Sequence, residues 1–307
     1  MVDCHEVLTL RNKSNSSIGK EWSRELLEST TIALLMVCVG SLFSSADAAC
    51  TNGPTNYNSA VACSNAGASN LTMTGPSTVT ITNSGGAQTG ILAEVTGNTA
   101  SVTATINDTT VINNNATSPS LGIYVHVASG SATGNGTLTM SRANSVTTAN
   151  GTAILVNVLG SGNATINISG TIDVTSLQTN ADDRDGIEAT IHGGHATVNM
   201  MDATGTVSVK GGNGILIDSL SAGGIITGNI GSGITINLDN TIAGANNALR
   251  PNSGIYATTL GNGTVDLITG GYRQYGWGPR GRYSNKCSER IYQCHQFWKP
   301  HDKQQQQ

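Results

Sequence analysis

At 307 residues the chain could hold one large or two average domains, yet only 11% of it is charged, 4% is aromatic and 38 residues are glycine. A disordered chain would be rich in charge and poor in apolar residues, whereas 37% of this one is hydrophobic. The net charge of −4 and the pI near 5.8 offer no basic surface to nucleic acid, so composition points to a β-rich extracellular repeat.

In chain order, the first expected element is a secretory signal. Thr30–Ala48 carries an apolar core from Ile32 to Phe43, followed by the small-residue site Ala46-Asp47-Ala48. That core of roughly 12 residues is shorter than the roughly 20 needed for a membrane-spanning helix; a buried or spanning helix is the rival reading. Residues 1–48 are thus expected to be leader and signal, with cleavage between Ala48 and Ala49. The segment Met1–Ser29, in which Lys20 and Arg24 are interleaved with Glu21, Glu25 and Glu28, fits either an extended leader or a start placed too far upstream.

The mature chain would then begin with Cys50 and Cys63, thirteen positions apart. In an oxidising compartment a bridge between them would close a small loop, worth on the order of 3 kcal/mol by chain entropy. The competing reading is lipidation of Cys50, which Asp47 argues against because an apolar residue is expected at that place. Residues 49–89 are read as an N-terminal cap region with the first strands.

From residue 90 to 270 the chain is a repeat. Between Ala49 and Gly270 its only aromatics are Tyr57, Tyr124 and Tyr256, so no core of Phe and Trp is available. In its place are short runs alternating aliphatic and small polar residues, such as STVTIT at Ser77 and NATINISG at Asn163, each the pattern of a half-buried strand. A Gly followed by an apolar strand recurs at Gly90, Gly122, Gly151, Gly186, Gly214 and Gly254, at unequal steps within the range of repeat architectures. Two or three strands per step, with no helix pattern, predict an all-β, right-handed parallel β-helix of about seven rungs. Stacked Ile, Val, Leu and Ala would fill a narrow core, outward Thr, Ser and Asn would form polar ladders, and each entrance Gly would supply the positive φ of a sharp turn. Loops that lengthen without disturbing neighbouring rungs would account for the unequal steps. A sandwich, the alternative, would show tighter hairpin spacing and more aromatics.

On these residues, with the motifs GNGTLTM, GNATINI and GNGTVDL, the chain from about Thr31 to Gly270 resembles the passenger region of autotransporters, the type V secreted proteins of Gram-negative bacteria. The resemblance implies export by the Sec machinery, a β-helical stalk, often adhesive, and a surface or matrix glycan or protein as ligand. It also implies a C-terminal barrel, for which the segment after Gly270 is too short, so no intrinsic membrane barrel is expected and the passenger is read as truncated. The expected location is the cell surface or extracellular space if the chain is translocated, and the periplasm if no barrel is supplied.

For chemistry, the densest cluster is ADDRDGIEATIHGGH, holding Asp182, Asp183, Asp185, Glu188, His192 and His195. It could be arranged for glycoside cleavage or a metal, but its composition is that of a solvated turn, and two His flanking Gly-Gly are too few ligands. A carbohydrate-active β-helix enzyme, lyase-like or hydrolase-like, remains the alternative to a structural or adhesive protein. Against it, Asp202, Asp218, Asp239 and Asp266 are scattered singly and Lys210 and Arg250 are isolated. No catalytic, cofactor-binding or metal residue is assigned and no cofactor is expected; ligand contacts are expected from the loops Ser219–Ile230 and Asn240–Ser253 or from the Thr/Asn ladders.

Residues 271–307 are expected to be an irregular tail. Seven aromatics lie there, with seven basic residues and a closing run of four Gln. A basic, aromatic binding arm and a metal site at Cys287, Cys294 and His295 are two readings. The third, preferred, is a reading frame lost near Gly271, leaving an open β-helix edge.

Overall fold

In the computed structural model the described residues are 48–53, 55–82, 88–115, 120–130, 132–177, 184–239, 253–260, 262–270, 272–277, 282–287 and 294–296. The leader and the body of the signal segment, and with them most of the expected cleavage region, lie outside these residues.

The chain enters through β1 (Ala48–Asn52) and β2 (Asn56–Tyr57), then β3 (Val61–Asn65) and the long β4 (Ser69–Ile81). Next come β5 (Gln88–Val95) and β6 (Val102–Asn113). Three full triplets follow: β7 (Ser120–Val127), β8 (Gly136–Ser141) and β9 (Asn144–Thr148); β10 (Ile154–Val158), β11 (Ala164–Ile168) and β12 (Thr171–Ser176); β13 (Ile187–Ile191), β14 (His195–Met200) and β15 (Thr204–Lys210). The last triplet is β16 (Ile215–Ala222), β17 (Ile225–Ile230) and β18 (Ile234–Asp239), succeeded by β19 (Ile255–Leu260) and β20 (Thr264–Thr269).

Each of these strands pairs in parallel with its counterpart one turn away, which makes the molecule a parallel β-solenoid. A first face stacks β3, β5, β7, β10, β13, β16 and β19. A second face stacks β8, β11, β14, β17 and β20 on the first half of β6, and a third stacks β9, β12, β15 and β18 on its second half. Five turns, entered through β5, β7, β10, β13 and β16, run between the end rungs. The expected count of about seven is reached only by adding the N-terminal rung of β3 and β4 and the C-terminal β19 and β20.

Alternation decides which side of each strand is inside. Along the first face Ile91, Ile123, Ile154, Ile187 and Ile215 form one inward column, and Ala93, Val125, Val156, Ala189 and Ile217 the next. Inward residues from all three faces join one hydrophobic cluster. Like stacks on like at the inter-strand spacing of about 4.8 Å, so a core without Phe or Trp still packs closely.

The repeat glycines are required for a different reason from the one expected. None of Gly90, Gly122, Gly186, Gly214 or Gly254 has a positive φ. A β-carbon on Gly90 would lie 2.7 Å from both the Gly122 carbonyl oxygen and Val111 Cγ1, and Gly186 meets Gly214 and Val207 in the same way. The next rung's backbone and an inward Val of the third face leave no room there. Gly254, which has no Gly-Ile rung beyond it among the described residues, has nothing within 4 Å of the same position. In the rung of β10 the slot before the paired isoleucine is held by Ala153 and not by Gly151, so the expected start of that repeat moves two places along the chain and the steps on either side of it become more nearly equal.

Beyond Gly270, where an irregular tail is expected, the described residues form β21 (Tyr272–Trp277), β22 (Arg282–Cys287) and β23 (Cys294–Gln296). These differ from the body in pairing antiparallel: β21 with β20, β22 with β19, and β23 with β22. The backbone edges of the first two faces are thereby covered. The open edge expected at this end is found, among the described residues, on the third face at β18.

Candidate functional site

The first face brings together side chains that are distant in sequence, because each turn of the solenoid returns the chain to the same face one rung further on. Its outward positions form two columns: register aligns Leu92, Tyr124, Leu155, Glu188, Leu216 and Tyr256 in one, and Glu94, His126, Asn157, Thr190, Asp218 and Thr258 in the other. His126 Nδ1 lies 3.0 Å from Glu94 Oε1, and the Ser64 hydroxyl donates to Glu94 Oε2 at 2.9 Å. The His126 ring stacks on Tyr124 with centroids 4.8 Å apart and planes 18° from parallel.

Tyr124 is the centre of this cluster. Burial pushes its phenol up from 10.0 to about 12; a hydrogen bond from the Asn157 side chain opposes the rise, and the charges of Glu94 and Glu188 reinforce it. Asn157 Oδ1 is buried and has no partner among the described residues. Two rungs from Tyr124, Glu188 accepts from the hydroxyls of Thr190 (2.8 Å) and Thr152 (3.4 Å). The result is a neutral phenol on a rigid sheet, bordered by carboxylate, imidazole and amide groups. The same face has a closed part. Leu216 and Tyr256 point outward yet are 0% and 3% exposed, and among the described residues they are the two buried hydrophobic ones that do not belong to the core cluster.

The residues singled out from sequence are distributed otherwise. Cys50 and Cys63 are joined by a disulfide with a Cα–Cα distance of 6.0 Å, tying the N-terminal strands β1 and β3. Ala48 and Ala49, flanking the expected cleavage point, lie in β1 and pair with Ser69 and Asn70. Asp182, Asp183, Arg250 and the expected loop at 240–252 fall outside the described residues.

Asp185 is not in a solvated turn. It is 2% exposed, and its Oδ1 accepts the backbone N–H of Asn213 at 2.7 Å. It belongs to a corner ladder: the Thr152 hydroxyl accepts from the Asp185 N–H, Asp185 from Asn213, and Asn213 Oδ1 from Ser253. Ser101, Asn135, Asn163 and His195 form a second ladder of the same kind. Such side-chain bonds satisfy backbone groups at corners where the strand ladders are interrupted. His192 and His195 are exposed. The expected loop Ser219–Ile230 is mostly strand, since β16 runs to Ala222 and β17 starts at Ile225. Asp218 is 3% exposed on the first face, and Lys210 lies 4.0 Å from Asp239 across the third.

The members of the Tyr124 cluster belong to no dense motif. Its signal lies in the rungs themselves: GILAEV over GIYVHV places Glu94 and His126 in the same slot.

Among the described residues no group of three or more His, Cys, Asp or Glu side chains is placed to hold a metal, and no helix is long and apolar enough to cross a membrane. No family model, curated protein or solved structure matches the chain.

Proposed function

We propose that this chain is an exported, passenger-like β-solenoid of the autotransporter kind, structural and adhesive, which binds a surface or matrix glycan or protein through the outward side of its first face. The observation that carries the reading is the Tyr124–His126–Glu94–Asn157 cluster, a ligand-sized set of aromatic and polar groups on an inflexible sheet. Planar polar side chains beside an aromatic suit sugar hydroxyls or a peptide's polar side chains.

Binding is favoured over bond cleavage because Asp185, the described Asp of the densest acidic segment, accepts from the backbone and side-chain N–H groups of Asn213 at a corner. Export would use the Sec machinery and the apolar segment from Ile32 to Phe43.

The test is expression of the full chain in a Gram-negative host, followed by fractionation, N-terminal sequencing, and binding to glycan arrays and matrix-coated surfaces. The expected result is processing near Ala48 and a bound ligand that Tyr124→Ala or Asn157→Ala releases without lowering the melting temperature by more than a few degrees. Retention of an unprocessed chain in the cytoplasm would remove export. Ligand binding indifferent to both substitutions would remove the site.

A further inference from the structure

The outward side of the second face is built to a different rule. Register places Thr103, Thr137, Thr165, Thr197 and Thr227 in one unbroken column over five consecutive rungs. Two residues further along each strand a second column runs parallel, beginning with Thr105 and Thr139 and continuing as Asn167, Asn199 and Asn229. None of these pairings contains a register shift, so the array is regular in both directions.

Two further observations set the array apart from an ordinary solvated sheet. All ten positions are uncharged and the Thr column meets a charge only where it ends, at Asp266 of β20 beside Thr227, whereas outward positions within the central rungs of the other faces carry Glu94, Glu188, Asp218 and Asp173. Moreover, among the described residues none of the ten side chains makes a hydrogen bond or ion pair within the protein, whereas on the third face the Thr206 hydroxyl donates to Asp173. Ten hydroxyl and amide groups are therefore held at fixed spacing with their hydrogen-bonding capacity turned outward.

The spacing selects a ligand. Neighbouring rungs lie about 4.8 Å apart, and residues two apart on a strand about 6.6 Å. A tetrahedral water accepting and donating bonds of about 2.8 Å spans about 4.6 Å between its two partners. One water would thus bridge each successive pair of hydroxyls and repeat with the rungs. Each bridging water keeps two bonds for the layer above, which is the connectivity of an ice lattice. Threonine is held stiffly about χ1, so its hydroxyl and methyl keep fixed directions, and the methyls confine water laterally without competing for its bonds. A charged side chain would instead orient water radially and break the row.

We propose that the second face is an ice-binding surface, whose Thr and Asn columns order a sheet of water that merges with the surface of an ice crystal. The proposal does not depend on the Tyr124 cluster or on its ligand.

The experiment uses the purified, fluorescently labelled full chain with a growing polycrystalline ice hemisphere, a recrystallisation assay, and melting followed by circular dichroism. Wild type and Ser145→Lys, a control on the third face, are expected to enter the ice and slow recrystallisation. Thr165→Lys and, separately, Thr197→Lys are expected to reduce incorporation at least tenfold while melting within a few degrees of wild type. Exclusion of the wild type from ice overturns the proposal, as does incorporation of both lysine variants at the wild-type level. If the folded lysine variants instead lose binding to insoluble chitin or cellulose, and wild type is excluded from ice, the array belongs to a polysaccharide lattice and the ice assignment fails.

Discussion

The first and second faces share one inward design and differ on their outer sides. Both present aliphatic columns to the same core, and both are stacked in parallel from rung to rung. Outside, the first face is tied across rungs by specific side-chain contacts, Glu94 to Ser64 and His126 and Glu188 to Thr152, and part of it is buried at Leu216 and Tyr256. The second face leaves its central outward side chains unengaged within the protein, among the described residues. The contrast teaches that stacking fixes the solenoid through the inward half of the alternation, which leaves the outward half able to specialise face by face.

The largest effect should come from breaking what the faces share. Val156→Asp places a carboxylate in the core column between Val125 and Ala189, and should cost more than about 4 kcal/mol or abolish folding, as measured by urea denaturation. Next, Leu216→Ala on the outside of the first face should cost about 2–5 kcal/mol, since its side chain is as buried as a core residue. An effect below about 1 kcal/mol would show that the covered strip does not contribute as packing.

The entrance to the first face offers a sharper test. Gly186→Ala should destabilise by about 1–3 kcal/mol because its β-carbon would crowd Val207 and the next rung's carbonyl, whereas Gly254→Ala, with open space, should stay within about 0.5 kcal/mol of wild type. Equal costs at the two positions would mean that something other than the neighbouring rung imposes glycine.

Alkaline titration separates the faces by chemistry. The Tyr124 phenol is about 12 in the folded chain against 10.0 for the free side chain, so between these values the unfolded chain releases a proton that the folded one retains. Its contribution to stability is therefore complete below pH 10.0 and is lost as pH rises toward about 12. Tyr124→Phe should flatten that part of the pH–stability curve; an unchanged slope would remove the shift. The smallest effect is expected on the second face, where Thr165→Ala should change stability by less than about 1 kcal/mol.

The architecture was legible because a β-solenoid writes its core locally. Alternation along GIYVHV shows which residues face inward, and recurrence of the Gly-Ile unit shows that another rung lies above. The rung of β10 was misaligned because Gly151 resembles the entrance glycine while Ala153 occupies its place; only pairing of Ile154 with Ile123 reveals this. Asp before Gly is ordinary turn chemistry and places Asp185 in solvent by sequence, yet one turn away the Asn213 amide needs an acceptor. The Tyr124 cluster is not legible locally, because its members are spread from Ser64 to Glu188 and no short window contains them.

By itself, then, the sequence determined the class of strand, the identity of the inward columns and the approximate period, since each follows from the order of side chains within a short stretch. Tertiary structure decided register, and register decided everything lateral. It determined which outward residues meet across rungs, why glycine is needed at a slot without positive φ, and how the strands after Gly270 cover the backbone edges of two of the three faces. The physical reason is that rung-to-rung contacts join residues a full turn of the solenoid apart, where a shift of one residue exchanges the core side of a strand for its solvent side.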